Sequence, residues 1–266
     1  MNETPLWLIV PAAGQGRRMA ADRPKQYLEL AGRPVLAQTL ARLHETFPTA
    51  RLLLCLDAED AWFDPAWVPF ADWRRVAGGA ERAETVSLAL AAIAAEAGDE
   101  DLVLVHDVAR PCVHGDDLAR LRAALIDEPV GALLAAPVAD TMKRADAAGR
   151  VATTEPRDGL WHALTPQGFR YALLRRALDE AGRGGVAITD EASAIEALGL
   201  SPRLVAGRRD NLKITHPEDL ELAEQIHAAQ ALATQRVASS AGEEGGPRPD
   251  PAPSQGNPRN PRETRA

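Results

Sequence analysis

The stretch Leu6-Trp7-Leu8-Ile9-Val10-Pro11-Ala12-Ala13-Gly14-Gln15-Gly16-Arg17-Arg18-Met19 decides the fold class. Residues 6–10 are a short apolar run ending at Pro11, a strand that opens into a loop where Gly14 and Gly16 let the backbone approach a partner closely. Amides in such a loop can turn toward anionic oxygens. Pro24-Lys25-Gln26-Tyr27 follows, so Arg17, Arg18 and Lys25 surround the loop with charge that amides cannot supply. That combination suits a ligand with several phosphates better than one bearing a single carboxylate.

Two other glycine-rich phosphate loops fit less well. A P-loop requires Gly-Lys-Ser or Gly-Lys-Thr after a fixed spacing, and the chain has no such segment. A dinucleotide-binding turn needs a third small residue where Met19 stands, with two arginines crowding the bend, which weakens that reading.

Outward from residues 6–10, apolar runs at 51–56, 74–77, 102–106, 132–137, 203–205 and 211–214 complete seven expected strands. Helical spacing links Val35, Leu36, Leu40 and Leu43, then Val86, Leu90 and Ile93, then Leu118, Leu121 and Leu125. Further helices are expected over Phe169, Leu173, Leu174 and Leu178, over 191–198 before Gly199, and from Pro217 onward. Alternating strands and helices predict an α/β fold: a Rossmann-like, mostly parallel sheet with helices on both faces. Residues 138–163 break the alternation with a mixed polar pattern that suits a projecting arm.

The length of 266 residues accommodates one large α/β domain, expected over 1–235. Beyond it, six prolines between Pro247 and Pro261 among Gly, Ser, Glu and Arg predict a disordered tail over 236–266. No apolar run reaches membrane-spanning length, and residues 1–5 do not have the form of a secretory signal, so the expected compartment is the cytoplasm. Cys55 and Cys112 read as ordinary thiols, since two cysteines make neither a disulfide framework nor a metal-ligand cluster. A net charge of −8 argues against a general nucleic-acid binder, so phosphate must be met locally, in a cleft that focuses the field of a few cations. Residues 62–73 hold three of the five tryptophans and read as a satellite cluster under a loop rather than a base-stacking surface.

Four constellations fall where strands would deliver them. After the third strand, Gly78-Gly79-Ala80-Glu81-Arg82-Ala83-Glu84-Thr85 is a glycine turn feeding a helix, where Thr85 is either a cap or a reader of a base edge. After the fourth, His106, Asp107 and Arg110 appear at once: Asp107 suits ribose hydroxyls or a magnesium ion, Arg110 a phosphate. A solvated Asp-Arg pair is the plain alternative, and His106 reads as support for Asp107 rather than as a metal ligand. Residues 157–167 form the third constellation. The fourth comprises 189–193, which look like an ordinary helix start at Thr189, and 210–215, where Lys213 between Leu212 and Ile214 should face the other side of a short strand.

Taken together, these motifs resemble one family, the 2-C-methyl-D-erythritol 4-phosphate cytidylyltransferases. PAAGQGRRM, PKQY, GGAERAETV, VHDVARP, DTMKR, DGLWHALTPQ, TDEAS and DNLKITHPEDL occur in the family's order over roughly residues 6–225. The resemblance implies a Mg²⁺-dependent reaction of CTP with 2-C-methyl-D-erythritol 4-phosphate, giving the CDP-alcohol and pyrophosphate. It implies that Arg18 and Lys25 stabilise the transition state at the α-phosphate, and that the amides of Ala13, Gly14 and Gly16, with the metal, hold the triphosphate. Gly79 and Thr85 would contact cytosine, and Asp107 would lie near the ribose and the acceptor. Arg157 and Lys213 would position the acceptor's phosphate, with Thr165 and Thr189 nearby and Arg110 and Thr141 as further contacts. The family is homodimeric, so Thr141 and Arg157 are expected to enter the partner's site from the arm. Thr85 stands where many members have serine and keeps the hydroxyl, while Val108 replaces a usual alanine and adds bulk beside Asp107.

A cytidylyltransferase acting on another sugar-alcohol phosphate, such as ribitol 5-phosphate, would share the nucleotide half. A non-catalytic nucleotide-binding protein, or an NAD-linked one, is the alternative from another class. The short stretch after residue 235 leaves no room for a fused second enzyme, so a single activity is expected.

Overall fold

The structure is a computed structural model and describes residues 4–14, 19 and 22–243, with side chains to 236. In chain order, β1 (Leu6–Pro11) leads through a 3-10 turn at Lys25–Tyr27 to a small hairpin, β2 (Glu29–Leu30) and β3 (Arg33–Pro34). Then come α1 (Val35–Thr46), β4 (Arg51–Leu56), β5 (Trp73–Ala77), α2 (Arg82–Ala92), β6 (Leu102–Val105), α3 (Gly115–Asp127) and β7 (Ala132–Pro137). The remainder is β8 (Met142–Ala145), β9 (Val151–Glu155), β10 (Trp161–Arg170), α4 (Tyr171–Gly184), α5 (Glu191–Ala197), β11 (Arg203–Ala206) and α6 (Pro217–Glu243).

Seven strands form one sheet in the order β11-β7-β10-β6-β1-β4-β5. The alternation of side chains explains why its strands read as unbroken apolar runs. In β1, Leu6, Leu8 and Val10 point into one core with Leu36, Leu40 and Leu43 of α1 and Leu118, Leu121 and Leu125 of α3. Trp7 and Ile9 point into the other, with Val86 and Leu90 of α2, Leu174 and Leu178 of α4 and Ile195 of α5. A period of two carries successive residues to opposite faces, and helices cover both, so no position is left polar. The α/β expectation is met.

Two strand assignments are corrected. Residues 211–214 form no strand, and the seventh place in the sheet is taken by β10, antiparallel to both β6 and β7. Phe169, expected on a helix, is fully buried within β10, and α4 begins only at Tyr171. A register irregularity between Ala163 and Gln167 explains why β10 lacks a clean two-residue period.

Within 138–163 the break in alternation is a hairpin: β8 and β9 pair antiparallel with each other, apart from the main sheet, and are largely exposed, whereas 161–163, expected in the arm, belong to β10 and pair with β7. Phe63, Trp67 and Trp73 pack against the α1 side core, with Trp67 5.9 Å from the ring of Tyr27, as a satellite cluster. Cys55 and Cys112 are buried thiols, and neither is in a disulfide. No described helix is long and apolar enough to cross a membrane.

The chain divides into two compact units at Ala228 and Ala229, ahead of the boundary expected near 235. α6 continues through Val237, where the composition changes, as far as Glu243. The second unit consists, among the described residues, of the end of that helix, and the rest of the expected tail lies outside the described residues.

Candidate active site

A cavity of about 590 Å³ opens where β1, β5 and β6 end. Open α/β sheets bind ligands at that edge because loops there converge from several strands. Ala13 and Gly14 come from the loop after β1, Lys25 from the 3-10 turn, Gly79 and Thr85 from the turn into α2, Asp107 from the end of β6, and Lys213 from the 210–215 segment.

The glycine turn is organised from within. Thr85 is buried, and its hydroxyl donates to the Glu81 carbonyl while accepting from the Gly79 amide, each at 3.0 Å. It is therefore not the helix cap, a position held by Glu81 without a side-chain bond. A Cβ on Gly78 would collide with the Cβ of Ala13, so glycine is what allows the first loop and this turn to close on one another.

Asp107 is the electrostatic centre. Arg82 Nε donates to its Oδ1 at 3.0 Å, Lys213 Nζ lies 2.8 Å from Oδ2, and Arg110 Nε lies 3.6 Å from Oδ2. Burial opposes ionisation of Asp107, but Arg82, Lys213 and Arg110 outweigh it and hold the carboxyl well below the usual carboxylate range. Arg82 also forks onto Glu191, with Nη1 to Oε1 at 2.6 Å and Nη2 to Oε2 at 3.0 Å. Burial pushes Glu191 up and Arg82 pulls it back. Cutting one member out of such a buried pair costs about 3–5 kcal/mol, because the other charge is stranded.

Behind Asp107 stands a neutral support. His106 is fully buried, which drives its pKa down to about 4. Its Nε2 lies 3.2 Å from the Arg110 carbonyl and its Nδ1 3.0 Å from the Thr165 hydroxyl, which accepts from the Asp107 amide at 3.1 Å. With the ring proton on Nε2, the imidazole donates to the carbonyl and accepts from Thr165, so one hydroxyl links β10 to the end of β6. Asn211 Nδ2 donates to the Thr165 carbonyl at 2.8 Å, and the Asn211 carbonyl accepts from Arg110 Nη1 at 2.6 Å.

Lys213 reaches the cleft without the strand expected for it. Leu212 and Ile214 pack with Leu30, Ala109 and Cys112, while Lys213 between them turns the other way. The Ile214 amide donates to the Ala109 carbonyl at 2.8 Å, and Lys25 Nζ donates to the Ile214 carbonyl at 3.0 Å.

Of the residues singled out from sequence, Ala13, Gly14, Lys25, Gly79, Thr85, Asp107 and Lys213 line one cavity. Arg110 and Thr165 stand behind it. Gly16 and Arg18 lie outside the described residues. Thr141 and Arg157 are exposed beside the hairpin, away from the cavity wall, with Arg157 donating to the Ala139 carbonyl. Thr189 is exposed and the cap of α5 is Asp190, closed as a capping box with Ser193. Glu191 and Gln167 escaped sequence reasoning as site supports. Glu191 resembles ordinary first-turn acid, and Gln167 sits in the unread strand, where it accepts from the Ala192 amide and donates to Asp190, both at 2.8 Å.

No cluster of three His, Cys, Asp or Glu suited to a metal occurs among the described residues. Mg²⁺ is held readily by one or two carboxylates together with substrate phosphates, and Asp57, Glu81 and Asp107 line the cavity, the last with its oxygens already facing Arg82 and Lys213. The donor set fits a Mg²⁺ carried mainly by a triphosphate.

Comparison with known proteins bears on the chemistry. The family model IspD, 2-C-methyl-D-erythritol 4-phosphate cytidylyltransferase, matches residues 6–229. A curated protein of that name from Chromohalobacter salexigens is 69% identical over 223 residues, covering 84% of this chain and 90% of its own. One from Dechloromonas aromatica is 50% identical over 84% of this chain and 98% of its own. The crystal structure of the Francisella tularensis enzyme superposes with a TM-score of 0.73 at 31% identity, covering 84% of this chain and all of its own. That of the Thermus thermophilus enzyme gives 0.70 at 35% identity over 85% and 98%.

Proposed function

Because this chain belongs to the 2-C-methyl-D-erythritol 4-phosphate cytidylyltransferase family, and so transfers a cytidylyl group from CTP to that phosphate, we propose that Lys25 and Arg18 stabilise the reacting α-phosphate while Lys213 holds the acceptor. The products are 4-diphosphocytidyl-2-C-methyl-D-erythritol and pyrophosphate, a step of non-mevalonate isoprenoid biosynthesis. The observation that carries the assignment is the meeting of Lys25, Lys213 and Asp107 around one cavity that the glycine turn of Gly79 also lines.

The nucleophile is an oxygen of the acceptor's own phosphate, whose second pKa near 6 makes it largely a dianion at neutral pH. No general base is required. What the cleft must supply is in-line placement of two mutually repelling phosphates and fixed positive charge where negative charge accumulates. Lys25, tethered by the Ile214 carbonyl, presents one such charge, and the amides of Ala13 and Gly14 border the same space. The Gly79 and Thr85 turn contacts the cytosine, and Asp107 meets the ribose. Mg²⁺, when bound, would neutralise triphosphate oxygens, and Asp57, Glu81 and Asp107 are the cavity-wall carboxylates that would help to hold it.

The enzyme works in the cytoplasm as a homodimer in which Thr141 and Arg157 complete the partner's acceptor pocket. Their exposure on the arm, apart from the cavity of their own chain, supports that arrangement. The test is a CTP-dependent assay with mass identification of the product, run beside ribitol 5-phosphate as competing acceptor. Pyrophosphate release with neither alcohol, or a preference for ribitol 5-phosphate, sinks the assignment.

A further inference from the structure

Arg82 touches both halves of the site. It is the first residue of α2, immediately after the glycine turn, and Glu191 is the first residue of α5, two residues after Thr189. Between them its fork contacts Asp107, whose other oxygen is held by Lys213. The Glu191 side chain is 1% exposed and that of Asp107 9%, against 25% for Arg82, so two buried carboxylates share one guanidinium at the cavity wall.

We propose that Arg82 is a positioning residue: its fork, fixed by Glu191, shares the charge of Asp107 and so leaves Lys213 available to the acceptor's phosphate. The inference rests on the reading of Lys213 given above. Without Arg82, Asp107 would face only Lys213 at 2.8 Å and the more distant Arg110 at 3.6 Å, so the lysine would be bound to it more tightly and keep less attraction for a ligand. Arg82 takes Oδ1, so Lys213 is needed only at Oδ2. Glu191 contributes by holding both terminal nitrogens, which aims Nε at Asp107 and keeps the fork from swinging wholly onto it. Among the described residues, the cavity over Arg170, Arg175, Arg176 and Arg183 is shared with Asp99, Glu100 and Asp179, which leaves it no clear preference for an anion.

Removing Arg82 or Glu191 alone risks unfolding, so the informative variant is Arg82→Met combined with Glu191→Leu. Three cations facing two carboxylates become two facing one, and the excess charge of the site is unchanged. Arg82→Lys is the companion: it keeps the charge, but a single ammonium cannot serve Asp107 and Glu191 in fork geometry. Calorimetric Kd values for 2-C-methyl-D-erythritol 4-phosphate and for CTP are measured separately, alongside turnover. In both variants acceptor binding is expected to weaken about tenfold or more while CTP binding stays within about threefold, the size of one weakened charge-assisted contact. Unchanged acceptor binding, or equal weakening of both ligands, overturns the inference. Should the double variant fail to fold, Arg82→Lys decides by the same criterion. Wild-type protein that binds the acceptor but does not transfer to it overturns the functional reading alone; wild-type protein that binds no acceptor overturns both.

Discussion

The cleft and the arm use the same kind of bond in opposite surroundings. Arg82 meets Asp107 at 3.0 Å with side chains 25% and 9% exposed, whereas Arg144 meets Glu155 on the hairpin at 2.7 Å with side chains 70% and 35% exposed. The shorter bond is the weaker constraint, because water competes for both partners on the arm and for almost nothing at the sheet edge. Distance alone does not rank ion pairs; what surrounds them does. The cleft can therefore hold charges in fixed places for chemistry, while those of the exposed hairpin are left to water.

The largest expected effect breaks the cleft. Lys25→Ala should lower kcat about a hundredfold or more with little change in Tm, as for the loss of one preorganised donor to a developing anion, and steady-state kinetics check it. Unchanged turnover would remove Lys25 from the chemistry. A smaller effect probes the arm. Lys25→Ala and Arg157→Ala, each inactive alone, should recover about a quarter of wild-type activity after mixing and subunit exchange, since in a twofold dimer one site of each mixed pair is intact. No recovery, with exchange demonstrated by mass, would confine Arg157 to its own chain.

The support of the cleft gives a pH prediction. The folded-state pKa of His106 is depressed to about 4 from 6.5, so below about pH 6.5 the unfolded chain takes up a proton that the folded chain refuses. The contribution is whole above that pH and is lost as pH falls toward 4, by on the order of 3 kcal/mol. Thermal melts across that window, with NMR of the His106 ring staying neutral nearly to the bottom, would confirm it; a ring that titrates near 6.5 would not. Smallest of all is Glu155→Gln on the arm, expected to leave turnover unaltered and Tm scarcely moved, and less still in strong salt. A marked loss of stability there would erase the contrast.

Much of this was legible in the chain because local signals and tertiary placement agreed. Strands β1, β4, β6 and β7 are buried on both faces and cannot avoid reading as apolar runs, and the glycine turn before α2 announces itself by composition. β10 was illegible for a physical reason: Trp161 to Ala163 are exposed, Leu164 to Phe169 buried, and the register slips between them, so no single period spans it. Lys213 lines the cavity, as its place between Leu212 and Ile214 predicts, but those neighbours are packed by a loop rather than by a strand. Glu191 was missed because a carboxylate in the first turn of a helix is ordinary, and only the fold brings Arg82, distant in sequence, onto it.

The position of β10 bears on how the chain is made. β6 and β7 are synthesised well before it, yet in the finished sheet they do not touch, and the slot between them is filled only when residues 161–170 arrive. A nascent or truncated chain ending before Trp161 therefore carries two open strand edges at the middle of its sheet, where natural proteins least tolerate them. The antiparallel strand is the keystone of synthesis as much as of the site, and fragments that stop short of it are expected to seek strand partners in other chains.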